Sequence, residues 1–301
     1  SGIYTSDPTK LSLRSTMPQF LDMEKENGSV VKSLIKKSFF NQTKQSGARY
    51  GLFYSFKNGM SFLVDKLLEN IRFDNLNLAH QVSSIKKEGS SYSVKTDKVE
   101  ENFDAVLLST PSFVSSNILS DIDSELEEKL SKFDYASSVV VNLVFRKSDF
   151  YNFPKGFGMV IPSSENLNMI ACSVYNEKFS NRVSEDKLVL RCFLGGKLNE
   201  GVVELDDEKL LEVVEKELNL IFNLNIFTSD YQSKRYPKCM QQYEIGHVES
   251  VKEVIDIVSK HDGLALCGNM YHGDGSPDCI NSGEIAAKKV IKDLGLSIKE
   301  S

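Results

Sequence analysis

The sequence predicts a mixed α/β chain of the α+β kind, with an antiparallel sheet as one of its platforms. Three observations carry this. Four short runs, Ser138 to Phe145, Gly158 to Pro162, Leu167 to Val174 and Leu188 to Leu194, are spaced like the strands of one antiparallel sheet. Residues 207 to 222 place Leu210, Leu211, Val214, Leu218 and Ile221 at helical period behind the capping Asp206-Asp207 pair. Near the C-terminus a short apolar run, Leu264 to Cys267, leads through Gly268, Gly273 and Gly275 into a second helical pattern.

From the N-terminus, residues 16 to 40 read as helical, with Phe20, Met23, Val31, Leu34, Ile35 and Phe39 as an apolar stripe and Lys32, Lys36 and Lys37 between them. The plain reading is an amphipathic core helix. The alternative is a basic helix lying on a membrane surface. Asn41 to Arg49 is polar and loop-like. Leu52, Tyr54 and Phe56 alternate as a strand does and end in Lys57-Asn-Gly59, before a helix through Leu63, Leu67 and Leu68. Leu78 to Lys86 and Ser91 to Thr96 flank Glu88-Gly-Ser90 as a hairpin. Phe103 to Ser109 follows as a third strand, stopped by Thr110-Pro111. Residues 124 to 133 form a short helix through Leu126, Leu130 and Phe133. After the helix at 207 to 222, two further strands and a helix with Val251, Val254, Ile255 and Val258 lead to the glycine-rich segment.

Composition narrows the function. The 301 residues suffice for one large or two interleaved domains, and 41% hydrophobic with 26% charged residues describes a soluble globular protein. A net charge of −6 argues against nucleic acid as a partner. No run reaches the roughly 18 apolar residues of a membrane span. Cys172, Cys192, Cys239, Cys267 and Cys279 are odd in number, widely spaced and outside any Cys/His cluster, so a reduced, cytoplasmic protein without a metal site is expected.

The glycine-rich segment carries the chemistry. Glycines let a backbone approach a ligand or take positive φ. Ser276 stands where an N-cap belongs, Pro277 at the first helical position and Asp278 in the first turn, with Ile280, Ile285, Ala286, Val290 and Ile291 continuing the helix. A helix N-terminus aimed at such a cleft suits a phosphate or an electron-rich ring edge. An ordinary strand-to-helix connection remains the plainer alternative.

The segment Leu266-Cys-Gly-Asn-Met-Tyr-His-Gly-Asp-Gly-Ser-Pro-Asp-Cys-Ile-Asn-Ser-Gly-Glu-Ile-Ala-Ala287 resembles the closing flavin-binding segment of the protoporphyrinogen oxidase family, whose oxygen-dependent, FAD-containing members oxidise protoporphyrinogen or coproporphyrinogen. Other pieces fall in the family's order. They are Gly2-Ile-Tyr-Thr-Ser-Asp-Pro8 with Leu11-Ser-Leu13, Tyr54-Ser-Phe-Lys-Asn-Gly-Met60 with Leu63, and Leu107-Leu-Ser-Thr-Pro111. Lys155-Gly-Phe-Gly158 with Pro162, Arg191-Cys-Phe-Leu-Gly-Gly196 and Gln242-Tyr-Glu-Ile-Gly-His247 follow. Asn58 replaces a glycine usual in the family, which asparagine's tolerance of left-handed backbone allows.

The resemblance implies a partial two-dinucleotide-type FAD-binding domain interleaved with an antiparallel-sheet substrate domain. It divides the chain into a helical part (1–49), a middle FAD-binding segment (50–113), a substrate domain (114–240) and a C-terminal FAD-binding segment (241–301), with the active site between the two domains. No strand–Gly-x-Gly-x-x-Gly–helix unit is present, so the chain reads as the C-terminal part of a longer enzyme that lacks the N-terminal dinucleotide-binding unit. The implied cofactor is FAD, contacted by the backbone around Val82 and by Thr110, Pro111, Gly268, Asn269, Gly275, Ser276, Pro277 and Asp278. The implied substrate is a porphyrinogen, with oxygen as acceptor and Val160, Ser173, Phe193, Gln242 and Tyr243 around it. The family usually has an aliphatic or threonine-like residue near Ser173. Phe193 could equally be a core strand residue, and for Val160 the core reading comes first.

His247 suits a proton acceptor by its near-neutral pKa, or a satisfied hydrogen-bonding residue at a helix start. The substrate's propionates need a cation, for which the resemblance puts the best candidate in the absent N-terminal part; Arg14, Arg49 and Arg182 are present, but no context picks one out. The resemblance also leaves peripheral contact with the inner membrane open, and another amine oxidase- or desaturase-like flavin enzyme, or a non-catalytic fragment, as alternatives.

Overall fold

The computed structural model describes residues 4–71 except 41–53, and 76–297 except 151, 152, 155, 180, 224, 226, 229 and 274, with the backbone alone at residues 37–40 and 272. Gly2, Ile3, the polar stretch at residues 41–49 with Arg49, Leu52 and Lys155 lie outside the described residues.

The chain runs through helices α1 (Leu13–Thr16), α2 (Pro18–Asn27), α3 (Val30–Phe40) and α4 (Ser61–Leu68), then strands β1 (Val82–Glu88), β2 (Ser91–Thr96), β3 (Glu100–Phe103) and β4 (Val106–Leu108). Helices α5 (Ser112–Leu119) and α6 (Ser124–Ser131) precede β5 (Tyr135–Arg146), β6 (Gly158–Val160), β7 (Met169–Val174), α7 (Tyr175–Lys178) and β8 (Lys187–Gly195). Helix α8 (Asp207–Phe222), β9 (Tyr231–Gln241), α9 (His247–Val258), β10 (Leu264–Leu266), α10 (Asn269–His272) and α11 (Ser276–Asp293) complete it. Two compact units form. One holds Ser1–Thr16, Lys129–Glu253 and Met270–Asp274; the other holds Met17–Glu128, Val254–Asn269 and Gly275–Ser301.

The first unit is built on an antiparallel sheet of order β6-β7-β8-β5-β9. Alternation decides its faces: Val139, Val141, Leu143, Cys172, Leu190, Cys192 and Leu194 point to one side and are buried with Leu210, Val214 and Leu218 of α8. Asp206 caps α8, its carboxylate accepting from the Lys209 N–H. The buried Glu217 joins α8 to β7: its carboxylate accepts from the backbone N–H groups of Asn168 and Met169, both at 2.8 Å. Where two strands were expected before α9, there is one, bent at Pro237-Lys238. Lys238 takes φ +45 opposite a register shift between Ala136 and Ser138, and the ladder resumes beyond it.

In the second unit β1, β2 and β3 form an antiparallel meander. The expected third strand over 103–109 divides instead. Glu100–Phe103 pairs with β2, whereas Val106–Leu108 pairs in parallel with β10, Leu107 opposite Ala265. Behind β10, Ala265 and Cys267 pack on Ala286 and Val290 of α11. Ile280 and Ile285, which continue the helical period, are exposed because only one side of the helix meets the sheet.

The single helix expected over 16–40 is broken at Gly28, left-handed at φ +70. Its apolar stripe is not core: Val31, Leu34 and Ile35 are exposed. Tyr54 to Phe56 make no ladder and Tyr54 is 91% exposed, so the expected strand is absent among the described residues there. In the turn that follows, Gly59 rather than Asn58 takes positive φ. Helix α5 was not anticipated.

Candidate functional site

In the second unit, β4 and β10 run parallel and end together, and each hands over to a helix: β4 through Thr110 and Pro111 to α5, β10 through Gly268 to α10 and on to α11. The carboxyl ends of parallel strands are where open α/β sheets receive ligands. Gly268 has φ +126, and among the described residues, its chain neighbours aside, no atom lies within 4 Å of where a Cβ would stand. Its N–H is held by the Ser282 hydroxyl at 3.0 Å. Thr110 and Ser115 share a hydroxyl contact at 2.8 Å that ties the strand end to α5.

Helix α11 starts one residue earlier than expected. Gly275 is the N-cap at φ −69, so Ser276 is the first helical residue, Pro277 the second, and no side chain caps the end. A Cβ on Gly275 would lie 2.9 Å from the Asp278 carboxylate, the end of an exposed side chain that can turn aside. Ser276, Pro277 and Asp278 are exposed, leaving an uncapped positive helix end in water. Those features fit a flavin's phosphates or ring edge. Thr110, Pro111, Gly268 and Asn269 thus lie at the two strand ends, and Gly275 to Asp278 at the start of the helix packed behind β10. Val82 is half-buried at the start of β1, the strand packed against α5.

In the first unit the sheet's second face carries the expected substrate residues. Val160 pairs with Ala171, Ala171 with Phe193, and Phe193 with Val140, so these four form one row across β6, β7, β8 and β5. Directly paired residues share a face. Val160 is 58% exposed, and Ala171, Phe193 and Val140 are half-buried. Phe193 is therefore not core. Beyond it, Gly195 (φ +98) and Gly196 (φ +77) turn the chain; a Cβ on either would meet Ser137 O or Thr5 Cβ at 2.7 and 2.5 Å.

The next row is polar. Ser173 pairs with Arg191, and Arg191 with Asn142. The Arg191 Nε donates to Asn142 Oδ1 at 2.8 Å, and its guanidinium lies 4.7 Å from the Tyr175 ring. Sequence reasoning overlooked Arg191, although its place two residues before Phe193 put both on one strand face. Arg14, one of the cations then considered, is instead paired with Glu249.

Gln242 and Tyr243 do not join this face. Both lie past the end of β9 and are buried; the Gln242 side chain donates to Met240 O at 3.0 Å. Tyr243 is 4% exposed, its ring edge-on to Tyr4 and His247 at 5.7 and 4.9 Å, which leaves no open ring face for stacking. The segment is pinned because Tyr243 O accepts from the Ser12 N–H. His247, first residue of α9, is 8% exposed, with Nε2 3.0 Å from Met270 O. Burial holds its pKa below the usual histidine value, so at neutral pH it is an uncharged donor.

Among the described residues no group of His, Cys, Asp and Glu is arranged to hold a metal, and no helix is long and apolar enough to cross a membrane.

The chain is similar to several known proteins. The chain is 28% identical over 297 residues to the coproporphyrinogen III oxidase of Bacillus subtilis (strain 168), covering 98% of this chain and 63% of that enzyme. It is 28% identical over 301 residues to the coproporphyrinogen III oxidase of Staphylococcus aureus (strain NCTC 8325 / PS 47), covering 97% of this chain and 64% of that enzyme. The chain thus spans under two thirds of these relatives. A crystal structure of a candidate protoporphyrinogen oxidase from Exiguobacterium sp. 255-15 superposes with a TM-score of 0.82 at 26% identity, over 98% of this chain and 62% of that one. The model of the flavin containing amine oxidoreductases matches residues 1–291. The resemblance to porphyrinogen oxidases and the expected flavin both agree with these findings, and the chain belongs to the flavin containing amine oxidoreductase family.

Proposed function

We propose that the protein oxidises a porphyrinogen, protoporphyrinogen IX or coproporphyrinogen III, to the porphyrin, using FAD and oxygen. The observation that supports this most is the second face of the five-stranded sheet, where an apolar row (Val160, Ala171, Phe193, Val140) lies beside a polar one (Ser173, Arg191, Asn142). A broad macrocycle with carboxylate arms asks for such a surface: an apolar floor for the ring, hydrogen-bonding groups for its edge.

Bound FAD, held at Gly268 and the start of α11, would supply the acceptor for the hydride equivalents and the route of their electrons to oxygen. The chain's own part is position and electrostatics. Gly268 leaves room for close backbone approach, and the uncapped N-terminus of α11 favours negative charge near Ser276–Asp278. Phe193 and Val160 shield the ring from water on one side. His247, buried and neutral against Met270 O, acts as a structural donor rather than as a proton acceptor.

The same reading places the enzyme in the cytoplasm. There the exposed Val31, Leu34 and Ile35 of α3, with Lys32 and Lys36 beside them, touch the anionic surface of the inner membrane. Sedimentation with anionic vesicles, lost on charge reversal of the two lysines, checks that contact.

The function is tested by supplying the complete protein with each porphyrinogen and following porphyrin fluorescence and oxygen uptake. The expected result is porphyrin formation well above autoxidation, with three oxygen molecules reduced to peroxide per porphyrin. Oxidation of a primary amine or a polyene precursor without any action on porphyrinogens would overturn the proposal.

A further inference from the structure

We infer that Arg191 is the residue that binds a carboxylate of the substrate, an inference that rests on the porphyrinogen reading above. Arg191 is half-buried on the second sheet face and makes no ion pair among the described residues. A cation withdrawn from water without a counter-charge is costly unless a ligand supplies one. Two contacts fix its direction. Asn142 Oδ1 accepts from Nε at 2.8 Å, and the Tyr175 ring carries the guanidinium at 4.7 Å. That ring is itself braced 4.8 Å from Phe179.

With Nε engaged, the two terminal nitrogens form the fork that matches a carboxylate's two oxygens. Holding that fork in place beforehand reduces the ordering cost of binding. The neighbours are consistent with this role. Ser173 stands beside Arg191 on β7, about 4.8 Å away at ordinary strand spacing, and offers a hydroxyl to the same ligand. Phe193 lies two residues along β8, about 7 Å away, in the apolar row. A pyrrole ring resting on Phe193 would therefore extend its carboxyethyl arm over the polar row. Lys234, paired with Val140 and exposed at the far end of the apolar row, offers a second cation to a carboxylate on another edge.

The test compares the complete, FAD-loaded protein with its Arg191→Gln and Arg191→Lys variants. Steady-state porphyrin formation from coproporphyrinogen III gives KM and kcat, and quenching of coproporphyrin III fluorescence gives a Kd that needs no turnover. Loss of a charge-assisted pair should raise KM and Kd about ten- to hundred-fold in R191Q, with kcat within about twofold and the flavin spectrum unchanged. R191K should fall between, since lysine keeps the charge and loses the fork. Should R191Q not fold, a rise of KM and Kd in R191K at unchanged thermal midpoint supports the assignment. Unchanged KM and Kd in a folded R191Q, or a fall in kcat alone, overturns it while leaving the porphyrinogen reading intact. A wild-type protein inert towards porphyrinogens would instead sink that reading, and this inference with it.

Discussion

Replacing His247 by phenylalanine separates a structural histidine from a catalytic one. The ring keeps its edge-on neighbours, Phe133 at 5.5 Å and Tyr243 at 4.9 Å, so no cavity opens. What disappears is the Nε2–H donor to Met270 O, a bond of 3.0 Å made where His247 is buried. Met270 O keeps the longer bond from the Gln241 amide at 3.5 Å, so the loss should cost about 0.5–1.5 kcal/mol at pH 8. Acid should change the comparison. Burial depresses the folded-state pKa of His247, so the fold favours its neutral form. That contribution is complete above the unfolded value of about 6.5 and is lost as pH falls from there through the lower folded value. Between pH 7 and 5.5 the wild type should lose stability, by no more than about 1.4 kcal/mol per pH unit from one proton. The phenylalanine variant lacks this term, so the difference between the two proteins should shrink in acid. Urea midpoints at pH 8, 7, 6 and 5.5 read it directly. A variant as acid-sensitive as the wild type would refute the linkage argument. A hundredfold or greater loss of turnover in a folded H247F enzyme would show that the histidine handles a proton in the reaction.

Two further outcomes are expected. Phe193→Ala should leave flavin content and thermal midpoint nearly unchanged, because its ring is on the open face, while porphyrin formation falls severalfold from loss of about 0.5–1.5 kcal/mol of aromatic contact beyond area; steady-state rates and flavin absorbance check this, and unfolding would return Phe193 to the core. Glu217→Ala should strip both the Asn168 and Met169 N–H groups of their acceptor, at about 1–3 kcal/mol each, and appear as a marked drop of the urea midpoint without altered substrate preference.

Where side-chain period and chemistry agreed, the fold was legible in the sequence. Helix α8 announced itself by its leucines and by Asp206, and β8 by the largely apolar run from Leu188 to Leu194, whose alternate members are buried. Helix α5 was illegible because its buried positions are partly serines. Ser115 meets the Thr110 hydroxyl and Ser116 donates to Glu127 O, so polar residues lie where a periodicity search looks for apolar ones. The division of residues 100–108 between two sheets follows from a parallel partner, β10, some 150 residues away, which no local pattern encodes. At the candidate site the glycine-rich turn and the Phe193 strand could be read directly. The burial of Tyr243 could not, because it depends on the segment around Tyr4 and Ser12 closing over it. Arg191 was hidden differently: its meaning rests on Asn142 and Tyr175, which only cross-strand register brings alongside.

The central claim, that this chain belongs to a flavin enzyme acting on porphyrinogens, is tested most directly by anaerobic titration of the complete, FAD-loaded protein with coproporphyrinogen III and protoporphyrinogen IX. The account predicts that at least one of them bleaches the flavin absorbance, with one porphyrin formed for every three flavins reduced. Flavin that stays oxidised in the presence of both, yet is bleached by an amine, would contradict it.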